Sequence, residues 1–126
     1  MHELSIAVSL IDMASEEAER LGGVRVEALH VRLGPLSGVV SDALLFSFDL
    51  AAEGTAIEGA RLEIEDVPVV VFCPACNEER QLPGIQSFQC PVCGTPTPDV
   101  VHGRELELAT MEVVTREEVE SATPDR

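Results

Sequence analysis

Apolar residues recur at helical spacing along the first part of the chain. Between residues 4 and 21 they form one stripe, with charged residues on the opposite side, and this pattern predicts an amphipathic helix. The stripe consists of Leu4, Ala7, Val8, Ile11, Ala14, Ala18 and Leu21. Gly22-Gly23 predicts the end of the helix, because glycine readily adopts the conformation that terminates helices.

Alternation of apolar and polar residues predicts three strands, at about 24–33, 60–70 and 103–114. In the first strand the inward-facing positions change phase near Ala28, which indicates a β-bulge or two covered faces. Gly34-Pro35 predicts the end of that strand.

A second helix is predicted over about 42–53, between the first two strands. Ser37 and Ser41 are the candidates for its N-cap, since a serine hydroxyl can accept the free N–H groups of a first helical turn. The predicted buried stripe consists of Leu44, Leu45, Phe48 and Ala52.

The composition changes between Cys73 and Pro98, where four Cys and five Pro interrupt the periodicity. This change predicts a small insert held together by a metal ion. The predicted fold is therefore α/β, with two helices on a roughly three-stranded mixed sheet and an inserted four-cysteine, zinc-ribbon-like domain. Residues 1–70 plus 100–126 are expected to form the larger domain, and 71–99 the insert.

Two matched pairs, Cys73/Cys76 and Cys90/Cys93, have the spacing of a four-thiolate metal site. Each pair places two sulfurs on one tight turn, and two such turns complete a tetrahedron. Zinc is the usual occupant of a closed four-sulfur site. Iron also accepts this geometry and stays an alternative, although few aromatic residues lie nearby, and a redox disulfide is a minor one.

The net charge of −15 narrows the class of partner. A phosphate backbone would be repelled, so nucleic acid is not expected as a partner, whereas cations and basic proteins are. No apolar run is long enough for a membrane span and the start does not resemble a signal peptide, so the expected location is the cytoplasm. The sequence also contains no catalytic constellation, and we expect no enzyme activity.

Met1-His2-Glu3 is a potential chelator because it stands at the start of the chain. The Met1 amine, the His2 amide and the His2 imidazole can bind one ion in fused rings, and the Glu3 amide or carboxylate can add a fourth ligand. Such a nitrogen set suits Ni(II) or Cu(II). From these residues alone, an exposed terminal side chain is the favoured interpretation of His2. His102 is a weaker candidate ligand, and His30 is expected on a strand surface.

Several segments, in this order and at this spacing, resemble the HypA/HybF hydrogenase nickel-incorporation proteins over nearly the whole chain. The matching segments are Met1-His2-Glu3-Leu4-Ser5, Gly34-Pro35-Leu36-Ser37-Gly38-Val39, Glu53-Gly54-Thr55, the two cysteine pairs and Gly103-Arg104-Glu105-Leu106.

The resemblance implies a nickel metallochaperone with a structural zinc site. It implies that Ni(II) is bound through His2 and the N-terminal backbone and is passed to the large subunit of nickel-iron hydrogenase, with the GTPase HypB as a partner. Service to urease and formation of a homodimer stay open. The alternatives are a zinc-ribbon scaffold without specific nickel binding and a small iron electron carrier.

Overall fold

Two helices and two small sheets make up residues 3–114, the part of the chain that the computed structural model describes. The elements are α1 (Glu3–Arg20), β1 (Arg25–Leu33), α2 (Ser41–Ala52), β2 (Arg61–Asp66), β3 (Val70–Cys73), β4 (Glu78–Gln81), β5 (Val100–His102) and β6 (Leu106–Val114). One sheet has the order β2-β1-β6 and the other the order β4-β3-β5. The predicted fold class is confirmed.

Helix α1 packs against α2 along a stripe narrower than the predicted one. Its buried residues are Ala7, Leu10, Ile11, Ala14 and Ala18. The prediction was wrong for Leu4, Val8 and Leu21, whose exposed fractions are 51%, 44% and 45%. It also missed Leu10, which is 3% exposed. Only one side of α1 is covered, so the apolar residues at the margins of the stripe stay in contact with solvent.

Helix α2 begins without the serine cap that the sequence predicts. Val40 occupies the N-cap position, and no side chain of residues 3–114 caps the helix, so Ser41 is already the first helical residue. The Ser37 hydroxyl instead accepts the Val39 N–H at 3.2 Å, and the Glu3 carboxylate accepts the Val40 N–H at 3.1 Å.

The buried face of α2 consists of Leu44, Phe48 and Ala52. The prediction that Leu45 is buried was wrong, since it is 38% exposed. Within β1, Ala28 and Leu29 are consecutive and both fully buried. The predicted change of phase near Ala28 is therefore present in the burial pattern of the strand.

The second sheet includes residues that the sequence analysis predicted in a strand of the first sheet. β2 ends at Asp66, and Val70 begins β3, so the predicted strand 60–70 is divided between the two sheets. Likewise β5 pairs with β3, with Val70 opposite His102, and β6 starts only at Leu106. The prediction that the last strand returns to the first sheet is confirmed, because β6 lies beside β1.

Contacts divide the chain into two units. Of the described residues, the first unit takes 3–31, 40–63 and 108–114, and the second takes 32–39 and 64–107. These bounds differ from the predicted domains because the turn after β1 is hydrogen-bonded to the chain near Gly103, inside the second unit. The predicted domain boundaries stay a prediction. Across residues 3–114, neither helix has the length and apolar character that crossing a membrane requires.

Candidate metal centre

The two cysteine pairs form turns of the same construction. The Asn77 N–H donates to the Cys73 carbonyl at 2.7 Å, and the Gly94 N–H donates to the Cys90 carbonyl at 2.8 Å. Asn77 and Gly94 both have positive φ, 58° and 78°, a conformation that asparagine and glycine tolerate best. Each turn therefore reverses the chain just after its second cysteine, so that both sulfurs of a pair face the same side.

The four sulfur atoms converge on one point. Cys73 Sγ lies 3.5 Å from Cys93 Sγ, and Cys76 Sγ lies 3.9 Å from Cys90 Sγ. All four ligand atoms lie within 4.8 Å of one another. A zinc–sulfur tetrahedron with bonds of about 2.3 Å has edges of roughly 3.8 Å, whereas a disulfide would bring two sulfurs to about 2 Å. The donor set therefore fits a closed tetrahedral metal ion.

Backbone N–H groups prepare two of the sulfurs to carry negative charge. The Cys76 N–H donates to Cys73 Sγ at 3.3 Å, and those of Val92 and Cys93 donate to Cys90 Sγ at 3.4 and 3.5 Å. Burial by itself would raise the pKa of Cys90, but these N–H groups and the neighbouring thiols lower it to about 6. These N–H groups thus favour the thiolate form of Cys90, the form that binds a metal ion.

Comparison with known proteins decides the family. A family model described as hydrogenase/urease nickel incorporation, metallochaperone, HypA matches residues 1–113. The chain belongs to the HypA family. It is 55% identical over 112 residues to the hydrogenase maturation factor HypA of Chloroflexus aurantiacus, and this alignment covers 89% of this chain and 98% of the relative. It is 47% identical to that of Deinococcus radiodurans over 108 residues, 86% of this chain and 89% of the relative.

A solved structure has the same fold. The solution structure of the nickel metallochaperone HypA from Helicobacter pylori superposes with a TM-score of 0.65, at 24% identity, and covers 92% of this chain and all of the other. At that identity the likeness concerns the fold alone.

The predicted nickel ligands of this HypA family member lie mostly outside the described residues. Met1 and His2 precede the first described position, Glu3. Glu3 opens α1, and its carboxylate is hydrogen-bonded to the Val40 N–H at the start of α2. The structure therefore describes only Glu3 of the three predicted ligands, and the nickel site itself stays a prediction.

The other two histidines lie away from the cysteine cluster, which is the single group of potential metal ligands within residues 3–114. His30 lies on a strand surface, as predicted, with Nε2 2.6 Å from a Glu112 oxygen and Nδ1 3.8 Å from Glu63. His102 Nδ1 lies 2.9 Å from the Glu105 carboxylate. That carboxylate also accepts the Gly103 N–H at 2.7 Å.

Two segments that carry the resemblance to HypA lie against each other within the second unit. The Gly34 N–H donates to the Glu105 carbonyl, and the Leu36 N–H donates to the Gly103 carbonyl, both at 2.8 Å. A Cβ on Gly34 would lie 2.1 Å from the Gly103 carbonyl oxygen, so only glycine fits there. The two motifs are therefore one structural feature, although about seventy positions separate them in the sequence.

Sequence reasoning missed Arg80, which lies on β4 beside the cysteine cluster. Its side chain is 23% exposed, and its guanidinium interacts with the sulfurs of Cys76 and Cys90. A single arginine after a cysteine pair carries no metal-ligand signal. Only the pairing of β3 with β4 reveals its place.

Proposed function

We propose that this chain is a nickel carrier that binds Ni(II) through the Met1 amine, the His2 amide and imidazole, and Glu3. The observation that carries the proposal is the family match, which extends from residue 1 to residue 113 and so includes the chelating segment. The Glu3 carboxylate is hydrogen-bonded to Val40, so we propose that Glu3 contributes its amide nitrogen. A set of nitrogen ligands favours the square-planar geometry of Ni(II).

We further propose that the nickel is delivered to the large subunit of nickel-iron hydrogenase, with the GTPase HypB as a partner. The relatives are named hydrogenase maturation factors, and the chain's net charge of −15 suits a basic docking surface on a partner. In this proposal the protein acts in the cytoplasm as a carrier without catalysis. It takes no nucleic acid as a partner.

Nickel titration by calorimetry tests the first step. His2→Ala removes the imidazole and should weaken nickel binding by several kcal/mol, on the scale of one strong ligand in a pre-formed set. A residue added before Met1 removes the free amine of Met1 and should also weaken binding. His30→Ala is the matched control, because His30 lies on the sheet surface between Glu63 and Glu112.

A substitution of Glu3 tests whether its amide or its carboxylate binds nickel. Glu3→Gln keeps the backbone amide and a side-chain acceptor for Val40, so nickel binding should change little. A loss as large as that of His2→Ala would assign the ligand to the carboxylate instead. Undiminished affinity in both the His2→Ala and the extended protein would remove the N-terminal site altogether.

We propose Zn(II) as the ion of the four cysteines, with a structural role. All four positions of the tetrahedron are taken by protein thiolates, so none is left for a substrate. Elemental analysis of fresh protein should give about one zinc per chain. Stoichiometric iron with a visible absorption band would instead favour an electron carrier, and zinc without any nickel binding would favour a scaffold protein.

Transfer of nickel to a partner tests delivery. Nickel loaded on the parent protein should pass to the HypB GTPase or the hydrogenase large subunit while zinc stays in place, and added salt should slow the transfer. His2→Ala should transfer little. Release of zinc together with nickel would contradict the separation of the two metal sites.

A further inference from the structure

Hydrogen bonds are distributed unevenly over the four sulfurs. Cys73 Sγ receives one backbone N–H and Cys90 Sγ receives two, and Cys93 Sγ lies 3.2 Å from the Thr95 hydroxyl oxygen. Cys76 Sγ is different, since no backbone N–H within residues 3–114 is directed to it. A thiolate that lacks such donors keeps more electron density on sulfur and reacts more readily.

Arg80 lies on the strand from which a side chain can donate a hydrogen bond to Cys76 Sγ. In the β3–β4 pair Arg80 lies opposite Val71, and Glu78 lies opposite Cys73. Residues opposite each other in an antiparallel pair project to the same face, so Arg80 shares the face of Val71 and Cys73, both fully buried. Its Nε is covered by protein and makes no hydrogen bond among the described residues. One Nη atom lies 3.4 Å from Glu78.

The negative charges around the cysteine cluster make a cation favourable at this position. A Zn(II) ion held by four thiolates leaves two uncompensated negative charges. Arg80 is the one Lys or Arg between Arg61 and Arg104, and Glu78 and Glu79 are its neighbours. Burying such a site in an acidic chain is unfavourable unless a cation lies close. An arginine guanidinium is always charged in proteins, so Arg80 can supply this cation.

We propose that Arg80 is the positioning residue of the four-cysteine site, whose guanidinium donates to Cys76 Sγ and offsets the negative charge of the metal–thiolate cluster. The inference rests on the proposed zinc site and adds a function to a residue of β4, which lies between the two cysteine pairs in the sequence. It follows that Cys76 is the ligand through which the site opens when Arg80 is lost. An arginine fork suits this task because it presents several N–H groups in one plane.

The test measures zinc retention and sulfur reactivity in the zinc-loaded full-length chain. Arg80→Gln should weaken zinc binding roughly ten- to a hundredfold, the usual cost of losing a partner of a metal ligand. Zinc affinity is measured by competition with a chelator. In Arg80→Gln, zinc should also be released faster when N-ethylmaleimide is added. Mass spectrometry identifies the first labelled cysteine, which should be Cys76.

Three variants separate this role from a merely structural one. Arg80→Lys keeps the charge but not the fork, so its release rate should fall between those of the parent and Arg80→Gln. Glu78→Gln removes the ion pair of Arg80 within the hairpin, and should not accelerate zinc release. Arg25→Gln makes the same charge change on an exposed residue of β1, and should match the parent.

The outcomes are distinct. Zinc release from Arg80→Gln at the rate of Arg25→Gln, with an unchanged labelling order, would overturn the inference. So would equal acceleration by Glu78→Gln, which would assign the effect to the hairpin ion pair, or an Arg80→Lys protein that is folded and as labile as Arg80→Gln. A parent protein that contains no zinc would instead defeat the proposed zinc site itself.

Discussion

At the scale of single residues, the second unit contains backbone contacts that are too close to admit a side chain larger than that of glycine. The Gly34 N–H and the Gly103 carbonyl belong to one small set of backbone hydrogen bonds. Gly103 itself has φ +127°, and a Cβ there would meet Val69 at 3.1 Å. Val69 belongs to a buried apolar cluster with Val71 and Leu82. The position of the turn is therefore coupled to the packing of this unit.

Gly34→Ala should destabilise the protein by about 3 kcal/mol, the upper part of the range for overpacked sites. The added methyl group would collide with a backbone oxygen, which cannot move without breaking its hydrogen bond to Leu36. Urea unfolding of the zinc-loaded protein measures the change. Gly84→Ala is the matched control, because a Cβ at Gly84 has no atom within 4 Å. Equal stability of the two variants would contradict the close contact.

At the scale of elements, polar side chains connect the strands of the first sheet on its exposed face. His30 on β1 lies between Glu63 on β2 and Glu112 on β6. Arg61 contacts both of these carboxylates, at 3.0 Å and 3.5 Å. Cross-strand pairs of opposite charge favour one alignment of neighbouring strands. Such pairs suit β6, which is an edge strand.

The stability contributed by Glu112 should depend on pH. Hydrogen bonding to His30, with the charge of Arg61, lowers the pKa of Glu112 below its usual value. A carboxyl with a lowered pKa in the folded state stabilises the fold above its unfolded pKa, about 4.3, and loses that contribution as pH falls through the folded value. Glu112→Gln should therefore be less stable than the parent at pH 6, and the difference should vanish near pH 3.

Urea unfolding at the two pH values makes the comparison. Glu19→Gln is the control, since it changes the net charge equally at an exposed position of α1. The expected contribution of Glu112 is small because its side chain is 52% exposed and water screens exposed pairs. A Glu112→Gln deficit that grows towards pH 3 would contradict the assigned direction.

At the scale of the whole molecule, the two units differ in what stabilises them. The first unit has an apolar core of its own, in which Phe48, Leu44 and Leu29 are fully buried. The buried apolar cluster of the second unit is small, consisting of Val69, Val71 and Leu82, with Leu36, Phe88 and Val100 packed against it. A cluster of this size needs a further constraint, which a metal ion at the cysteines can supply.

Removal of the metal should therefore loosen one unit and spare the other. In Cys76→Ala, or after chelation of zinc, amide hydrogens of β3, β4 and β5 should exchange much faster. Those of α1 and α2 should keep their protection. Hydrogen exchange followed by mass spectrometry of peptides measures both in one experiment. Equal loss of protection in α1 would show that the first unit depends on the metal as well.

The sequence by itself determined the features that depend on neighbouring residues. The extents of α1 and α2, the change of phase at Ala28 and the two cysteine turns all follow from local periodicity or spacing, which act within a few residues. The family could also be predicted from the sequence, because the segments that resemble HypA are short and occur in a fixed order along the chain. The nickel ligands Met1 and His2, outside the described residues, stay a prediction of the same kind.

Only the tertiary structure decided which surfaces are covered and which distant segments meet. Leu4 and Leu45 are apolar at helical spacing yet exposed, since burial depends on what packs against a helix. The contact of Gly34 with Gly103 joins two distant loops, and the pairing of β3 with β4 places Arg80 opposite Val71. Periodicity reports which face of an element is apolar, whereas the partner of that face is set by contacts between residues far apart in the chain.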